Sequence, residues 1–208
     1  MAEILRSDNE TIALIRDTLR ERDPTVSCVV LGSAAVVAHF FQAGVKSPVE
    51  CSDVDALCSQ EFFNQELLDL QSRPGISKFA IRWPKGRLAL RGARNMSIDI
   101  YPQEGEALLP FTAAHDMSDA WISETYEDAL LVAVEQAGIT CKPIDKILMQ
   151  IAVIGRDKDI ANVKKITPVA TEIGLISGHQ SEAIYAELEH TISEAARHPD
   201  RYYARIDI

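Results

Sequence analysis

The sequence predicts a sheet domain of the α+β class that carries a C-terminal helical portion, with α/β as the other reading of its front half. Three observations predict this. Short apolar runs rich in β-branched residues alternate with helical patterns over the first hundred residues. Breaks at Asp23-Pro24, Gly32-Ser33, Arg73-Pro74-Gly75 and Pro84-Lys85-Gly86 separate them. Beyond Pro143 the pattern turns helical. The expected division is a sheet domain over 1–142 and a helical portion over 143–208 packed on that core. A chain of 208 residues buries a sizeable core without disulfide staples.

Residues 8–22 read as a helix, in which Ser7 and Glu10 make a capping box, Ile12, Ile15 and Leu19 share a face, and Asp23-Pro24 is the stop. Residues 26–31 read as a buried strand ending at Gly32-Ser33. A helix of small residues follows over 34–43, closed by Gly44. A loop through Lys46-Ser47-Pro48 leads to a second strand over 51–57, and Ser59 caps a helix through Phe62, Phe63, Leu67 and Leu70. Three short strands are expected next, over 78–83, 87–90 and 96–101, with turns at 84–86 and 92–95. Residues 130–134 and 139–141 fit either a hairpin around Ala137-Gly138 or one helix ended by Gly138. Helices over 144–154, 157–166 and 180–196 follow. The last, with Ile184, Leu188 and Ile192, is expected to pack on the core or on a second subunit of a homodimer.

The 31 acidic and 21 basic residues give a formal charge of −10. That balance counts against nonspecific coating of nucleic acid or of an anionic membrane, because counterion release needs a basic surface. With 47% apolar and 25% charged residues the chain is globular rather than disordered or fibrous. Cys28, Cys51, Cys58 and Cys141 form no CxxC pair and have no histidine at zinc-finger spacing. The first ten residues lack the apolar run of a signal peptide, and no stretch nears about 18 consecutive apolar residues. The expectation is a cytoplasmic protein with free thiols and no membrane contact.

Asp53-Val54-Asp55 is the sharpest local oddity. Aspartate is disfavoured in strands, yet two occur at i and i+2 inside a strand pattern. Alternation puts both carboxylates on one face, about 6–7 Å apart at roughly 3.3 Å rise per residue. Convergent carboxylates repel unless a cation or protons neutralise them. An all-oxygen pair of this kind suits Mg²⁺ or Mn²⁺, which accept one or two carboxylates plus substrate phosphates. A bare pair would more simply be a solvated strand end. A third aspartate, Asp99, is embedded in the strand pattern Ser97-Ile98-Asp99-Ile100-Tyr101. If that strand neighbours the first pair, the triad suits two metals about 3.5–4 Å apart and an in-line attack on phosphorus. Gly32-Ser33 ends a strand and opens a helix, which offers free N–H groups and a hydroxyl to an anion. It has neither P-loop nor dinucleotide-fold spacing.

Gly32-Ser33, Asp53-x-Asp55 and Asp99 together resemble the nucleotidyltransferase superfamily that includes polymerase-β-like enzymes. The resemblance spans roughly 26–165. Lys146-Ile147-Leu148 and Ile154-Gly155-Arg156-Asp157-Lys158-Asp159 look like the lysine helix and R-x-K-D signature of the AbiEii-type branch, which includes toxins of type IV toxin–antitoxin systems. It implies a mixed-sheet core flanked by helices, and a triphosphate phosphate held at Gly32 and Ser33. It also implies Mg²⁺ (or Mn²⁺) on Asp53, Asp55 and Asp99, with Asp99 also the general base. Lys146 would then contact triphosphate, and Lys158 and Asp159 would help build the nucleotide side. Many members of the branch lead into the paired aspartates with an Arg-x-Thr or similar; here the lead-in is Val49-Glu50-Cys51-Ser52. Without the aspartates, Lys146 and the Arg156–Asp159 run would read as solvated helix faces with i,i+3 or i,i+4 pairs.

The segment 78–94 holds Lys78, Arg82, Lys85, Arg87, Arg91 and Arg94 with Trp83 and no acid. It is a candidate polyanion ribbon, with a solvated hairpin as the plain alternative. His39 reads as a helix-face residue, and no Ser/His/Asp or Cys/His arrangement is defensible from spacing. The expectation is therefore a metal-dependent nucleotidyltransferase that moves an NMP from an NTP to a hydroxyl acceptor and releases pyrophosphate. The acceptor is a small molecule or a tRNA end. The alternatives are a non-catalytic protein of the same fold that binds nucleotide or a partner, and a metal-dependent phosphohydrolase.

Overall fold

The computed structural model describes residues 7–22, 28–72, 88–91, 96–101 and 126–197. The strand expected over 78–83, the turns at 84–86 and 92–95, and most of the basic ribbon lie outside them. The chain begins with helix α1 (Asp8–Arg22), whose capping box forms as expected: Ser7 N donates to Glu10 Oε2 over 3.0 Å and Glu10 N donates to Ser7 Oγ over 3.3 Å. Strand β1 (Cys28–Leu31) runs straight into helix α2 (Gly32–Gln42), two residues earlier than the small-residue pattern suggests. Strand β2 (Asp53–Cys58) and helix α3 (Gln60–Ser72) follow, and Phe62 N donates to the Ser59 hydroxyl over 3.2 Å, the expected cap. Strands β3 (Leu88–Arg91) and β4 (Ser97–Tyr101) come next.

Of the two readings of the stretch around Ala137 the hairpin forms, with a first strand shorter than expected, and Gly138 ends no helix. Helix α4 (Tyr126–Val132) comes first, and then β5 (Val134–Gln136) and β6 (Ile139–Cys141) form a hairpin. Ala137 and Gly138 both take positive φ, 52° and 72°, which a two-residue hairpin turn demands. Helix α5 (Ile144–Ile154), helix α6 (Asp157–Glu172) and helix α7 (Gly178–Arg197) complete the described chain. Helix α6 runs six residues past the expected end at 166 because Pro168 does not stop it. The residue is exposed, so the carbonyl its missing N–H leaves unbonded can turn to water.

The six strands of the described residues form one mixed sheet in the order β3-β4-β2-β1-β6-β5. Strands β2 and β4 run parallel, as do β1 and β6, while β1–β2, β3–β4 and β5–β6 are antiparallel. This is the α+β mixed sheet flanked by helices that the sequence predicts.

Register divides the side chains between two faces. Cys28, Val30, Val54, Ala56, Cys58, Ile98 and Ile100 lie on one, and all belong to a large buried cluster with residues of α1, α2, α5, α6 and α7. That cluster crosses position 142: Ile144, Ile147, Leu148, Val163, Ile184 and Leu188 pack with Ile12, Val30 and Ala34. The helical portion is thus part of the same core. Gly155 shows how tight that packing is, since a Cβ there would collide with the Thr191 methyl group of α7. The second face carries Val29, Leu31 and Leu57, which form a small separate cluster with Ala129 of α4. No helix among the described residues is long and apolar enough to cross a membrane.

Candidate functional site

The three aspartates occupy the second face, on two interior strands, toward the edge of the sheet where β2 and β4 begin and β1 and β6 end. In the parallel β2–β4 ladder Asp55 is the register partner of Asp99 and Asp53 that of Ser97. Neighbouring strands lie about 4.8 Å apart, and Asp53 stands about 6–7 Å along β2 from Asp55. The expected adjacency of the Asp99 strand and the paired aspartates is therefore present. Asp99 is 3% exposed, whereas Asp53 and Asp55 are half-buried.

Topology brings the Gly-Ser turn to the same place. Strand β1 is antiparallel to β2, so its C-terminal end meets the N-terminal end of β2, with Leu31 opposite Asp55. The next residue, Gly32, has φ +57°, and a Cβ there would stand 3.2 Å from Asp55 Oδ2. Both facts favour glycine: the left-handed conformation strains other residues, and an added Cβ would make the Asp55 carboxylate give way by a few tenths of an ångström. Helix α2 starts here with no side-chain cap and no acid in its first turn. Its first N–H groups are thus the kind of donors that bind an anion.

Cys51 is the residue that the sequence pattern undervalues. Its thiol donates to the Asp53 main-chain carbonyl over 3.0 Å. Burial pushes the thiol up to about 12, and the nearby Asp53 and Asp55 charges push the same way. It is a protonated structural thiol and not a nucleophile. Its only signal in the sequence is its place two residues before the paired aspartates. Ser52 Oγ adds a bond to Asp53 Oδ1 over 3.1 Å.

Strand β6 is parallel to β1 and ends at the same edge, so α5 starts there, and Lys146 lies exposed in its first turn. Lys142, at the junction, is buried instead, with Nζ donating to Gln150 Oε1 over 3.1 Å and its carbonyl accepting from His39. It braces α5 and α2 against the sheet, and a lysine between Cys141 and Pro143 carries no sequence signal for that.

Lys158 and Asp159 lie past the far end of α5 from Lys146. The 11 residues of α5 span about 16 Å, so the Arg156–Asp159 turn opens α6 roughly that far from the start of α5. Asp159 is buried and held by Arg156, whose Nε donates to Oδ2 over 2.5 Å and Nη2 to Oδ1 over 3.2 Å. This is an acid at a helix start paired i,i+3 with an arginine, as the plain reading of that run has it, although Asp159 is buried rather than solvated. Lys158 is exposed beside it. The basic residues Lys78, Arg82, Lys85, Arg87 and Arg94, with Trp83, lie outside the described residues, and Arg91 is in β3.

Among the described residues no three His, Cys, Asp or Glu side chains form a ready-made metal cage. What the edge offers is hard carboxylate oxygen on adjoining strands beside anion-binding N–H groups. That donor set fits Mg²⁺ or Mn²⁺, which keep water and take substrate phosphate to fill their shell. Comparison with protein-family models, curated proteins and solved structures returns no match.

Proposed function

We propose that this protein is a metal-dependent nucleotidyltransferase that moves a nucleoside monophosphate from an NTP to a hydroxyl acceptor and releases pyrophosphate. The observation that carries the reading is the pairing of Asp55 with Asp99 across two strands, with Gly32 pressed against the Asp55 carboxylate. A scaffold gains nothing from like charges in register, which destabilise a sheet. A site for divalent cations and a triphosphate does.

Asp53, Asp55 and Asp99 would hold Mg²⁺ or Mn²⁺. When bound, such ions neutralise phosphate charge and polarise the phosphorus centre. Gly32 and Ser33 bind a phosphate through main-chain N–H groups and the hydroxyl. The acceptor oxygen attacks the α-phosphorus, the bond to the bridging oxygen breaks, and pyrophosphate leaves with that electron pair. Asp99, buried beside the pair, takes the acceptor proton. Lys146, exposed at the same edge, offsets charge on the departing pyrophosphate. Lys158 and Asp159 have no part in this reading, because their turn belongs to the opposite end of α5. A small hydroxyl compound is the preferred acceptor, since the formal charge of −10 disfavours broad nucleic-acid contact. A tRNA end is the other candidate.

Titration calorimetry with each NTP, with and without Mg²⁺, tests the reading. Binding of an NTP only with Mg²⁺, and its loss in Asp53→Ala, is the expected result. A wild-type protein that binds no NTP with Mg²⁺ would sink it. Binding with no pyrophosphate release across an acceptor panel would mark a non-catalytic nucleotide-binding protein. Phosphate release without acceptor would mark a phosphohydrolase.

A further inference from the structure

Strands β1 and β2 set two cysteines opposite each other. Cys28 is the first residue of β1 and Cys58 the last of β2, and they are register partners at the end rung of the antiparallel ladder. Both belong to the core face, 3% and 0% exposed, and both are thiols. The hydrogen bonding of the next strand decides what kind of rung this is. The Val30 carbonyl accepts from Lys142 N, just past β6, over 3.0 Å, so the main-chain polar groups of Val30 point away from β2. Those of Val29 and Leu31 then point toward β2, by the alternation of an extended chain. Val29–Leu57 and Leu31–Asp55 are therefore the hydrogen-bonded pairs, and Cys28–Cys58 and Val30–Ala56 the non-hydrogen-bonded ones. In a non-hydrogen-bonded pair the Cα atoms stand about 4.5 Å apart and the side chains are closest. A disulfide spans roughly 4.4–6.8 Å between Cα atoms, so this rung accepts one without moving the strands.

We propose that Cys28 and Cys58 form an oxidisable dithiol, a modification site whose reagent is a peroxide. The Cys28 thiolate attacks one oxygen of hydrogen peroxide, the O–O bond breaks, and the departing hydroxide takes up the thiol proton as water. The Cys58 sulfur then attacks the sulfenic sulfur, the S–O bond breaks, and a second water leaves with the Cys58 proton. Two thiols and one peroxide become one disulfide and two waters, with sulfur oxidised and oxygen reduced. The rung lies at the end of its ladder, where local opening costs least, and peroxide is small enough to enter with that opening. Cys141 faces Val30 and Val134 in the register, and Cys51 precedes β2, so neither stands opposite a cysteine. The bridged segment runs through Gly32-Ser33 and Asp53-Val54-Asp55, so the disulfide would staple the loop that carries the candidate site. The pairing itself is independent of any nucleotide.

Peptide mapping of the full wild-type chain tests it without any substitution. The protein is treated with hydrogen peroxide, its remaining thiols are alkylated in denaturant, and bridged peptides are sought by mass spectrometry. The expected result is a Cys28–Cys58 bridge, with Cys51 and Cys141 still alkylated. Thermal unfolding then reads the staple. The bridge closes a loop of roughly 30 residues, so the oxidised chain should melt about 5–10 °C above the reduced one, and dithiothreitol should reverse the rise. Cys28→Ala and Cys58→Ala should show no rise. Four thiols still alkylated after peroxide overturn the proposal, as does a bridge to Cys51 or Cys141 in place of this one. Sulfinic acid at either residue with no bridge overturns it too. So does a bridged chain that melts below the reduced one, because the bridge would then have forced the strands out of register.

Discussion

The two faces of the sheet are built from the same strands and do opposite work. On β2 and β4, Val54, Ala56, Ile98 and Ile100 point into the large core, and Asp53, Asp55 and Asp99 lie on the other side, one residue out of phase. Among the described residues the core cluster draws on six helices, α1, α2, α3, α5, α6 and α7, with most of its side chains at or near zero exposure. Among the described residues the second face has a small cluster under Ala129 of α4, a helix that leaves Leu130 and Leu131 exposed. Stability is thus concentrated on one side, which lets the other side carry like charges in register. A strand's two-residue period makes the separation possible, because alternate positions answer to different solvents.

Five measurements break or sharpen that contrast. The largest effect is expected from Asp55→Ala, which should cut pyrophosphate release roughly a thousandfold. Its melting temperature without divalent cation should hold or rise, since one of two facing like charges is gone. A fall in both would place Asp55 in the scaffold. On the opposite face, Ile98→Ala is expected to cost about 3 kcal/mol in denaturant unfolding, the price of a buried cavity, while turnover per folded molecule hardly changes. Loss of turnover there would show that the faces are not independent.

Gly32→Ala lies between the two. The positive φ alone is worth about 1 kcal/mol, and the added methyl crowds Asp55 Oδ2, so the loss in Mg²⁺–NTP affinity should exceed the loss in stability. Equal losses would mean strain without displacement of the carboxylate.

The core face should also respond to pH. Burial lowers the pKa of His39, opposed by its bond to the Lys142 carbonyl and by Asp145. Folding therefore keeps the ring neutral, while the unfolded chain binds a proton below about pH 6.5. Stability contributed there is present above that pH and falls as pH drops through it toward the lowered value. His39→Gln should flatten the fall in a series of melting curves. An unchanged slope would assign it to other groups.

The smallest effect is expected at the R-x-K-D turn. Lys158→Ala should change stability by less than about 0.5 kcal/mol and leave NTP affinity untouched, whereas Lys146→Ala should weaken it several-fold. A fall in affinity with Lys158→Ala would return that turn to the site.

Local chemistry already determines much of this molecule. The capping box at Ser7 and Glu10, the cap at Ser59, the strand–turn–helix at Gly32-Ser33 and the helices from Ile144 onward follow from residues within a few positions of one another. The oddity of Asp53, Asp55 and Asp99 is legible for the same reason, as charge placed inside strand patterns. Tertiary structure alone decided which strands adjoin. The parallel pairing of β2 with β4 sets Asp55 beside Asp99, and the antiparallel pairing with β1 delivers Gly32 to them. It also separated two signals that looked alike in sequence. Lys146 stands at the shared edge because β6 ends there, while the lysine and aspartate of the later turn are carried away by the length of one helix, and Arg156 takes up the Asp159 carboxylate. Sequence spacing reports neighbours along an element; which ends of which elements meet is settled by burial of the core face, a sum over the whole chain.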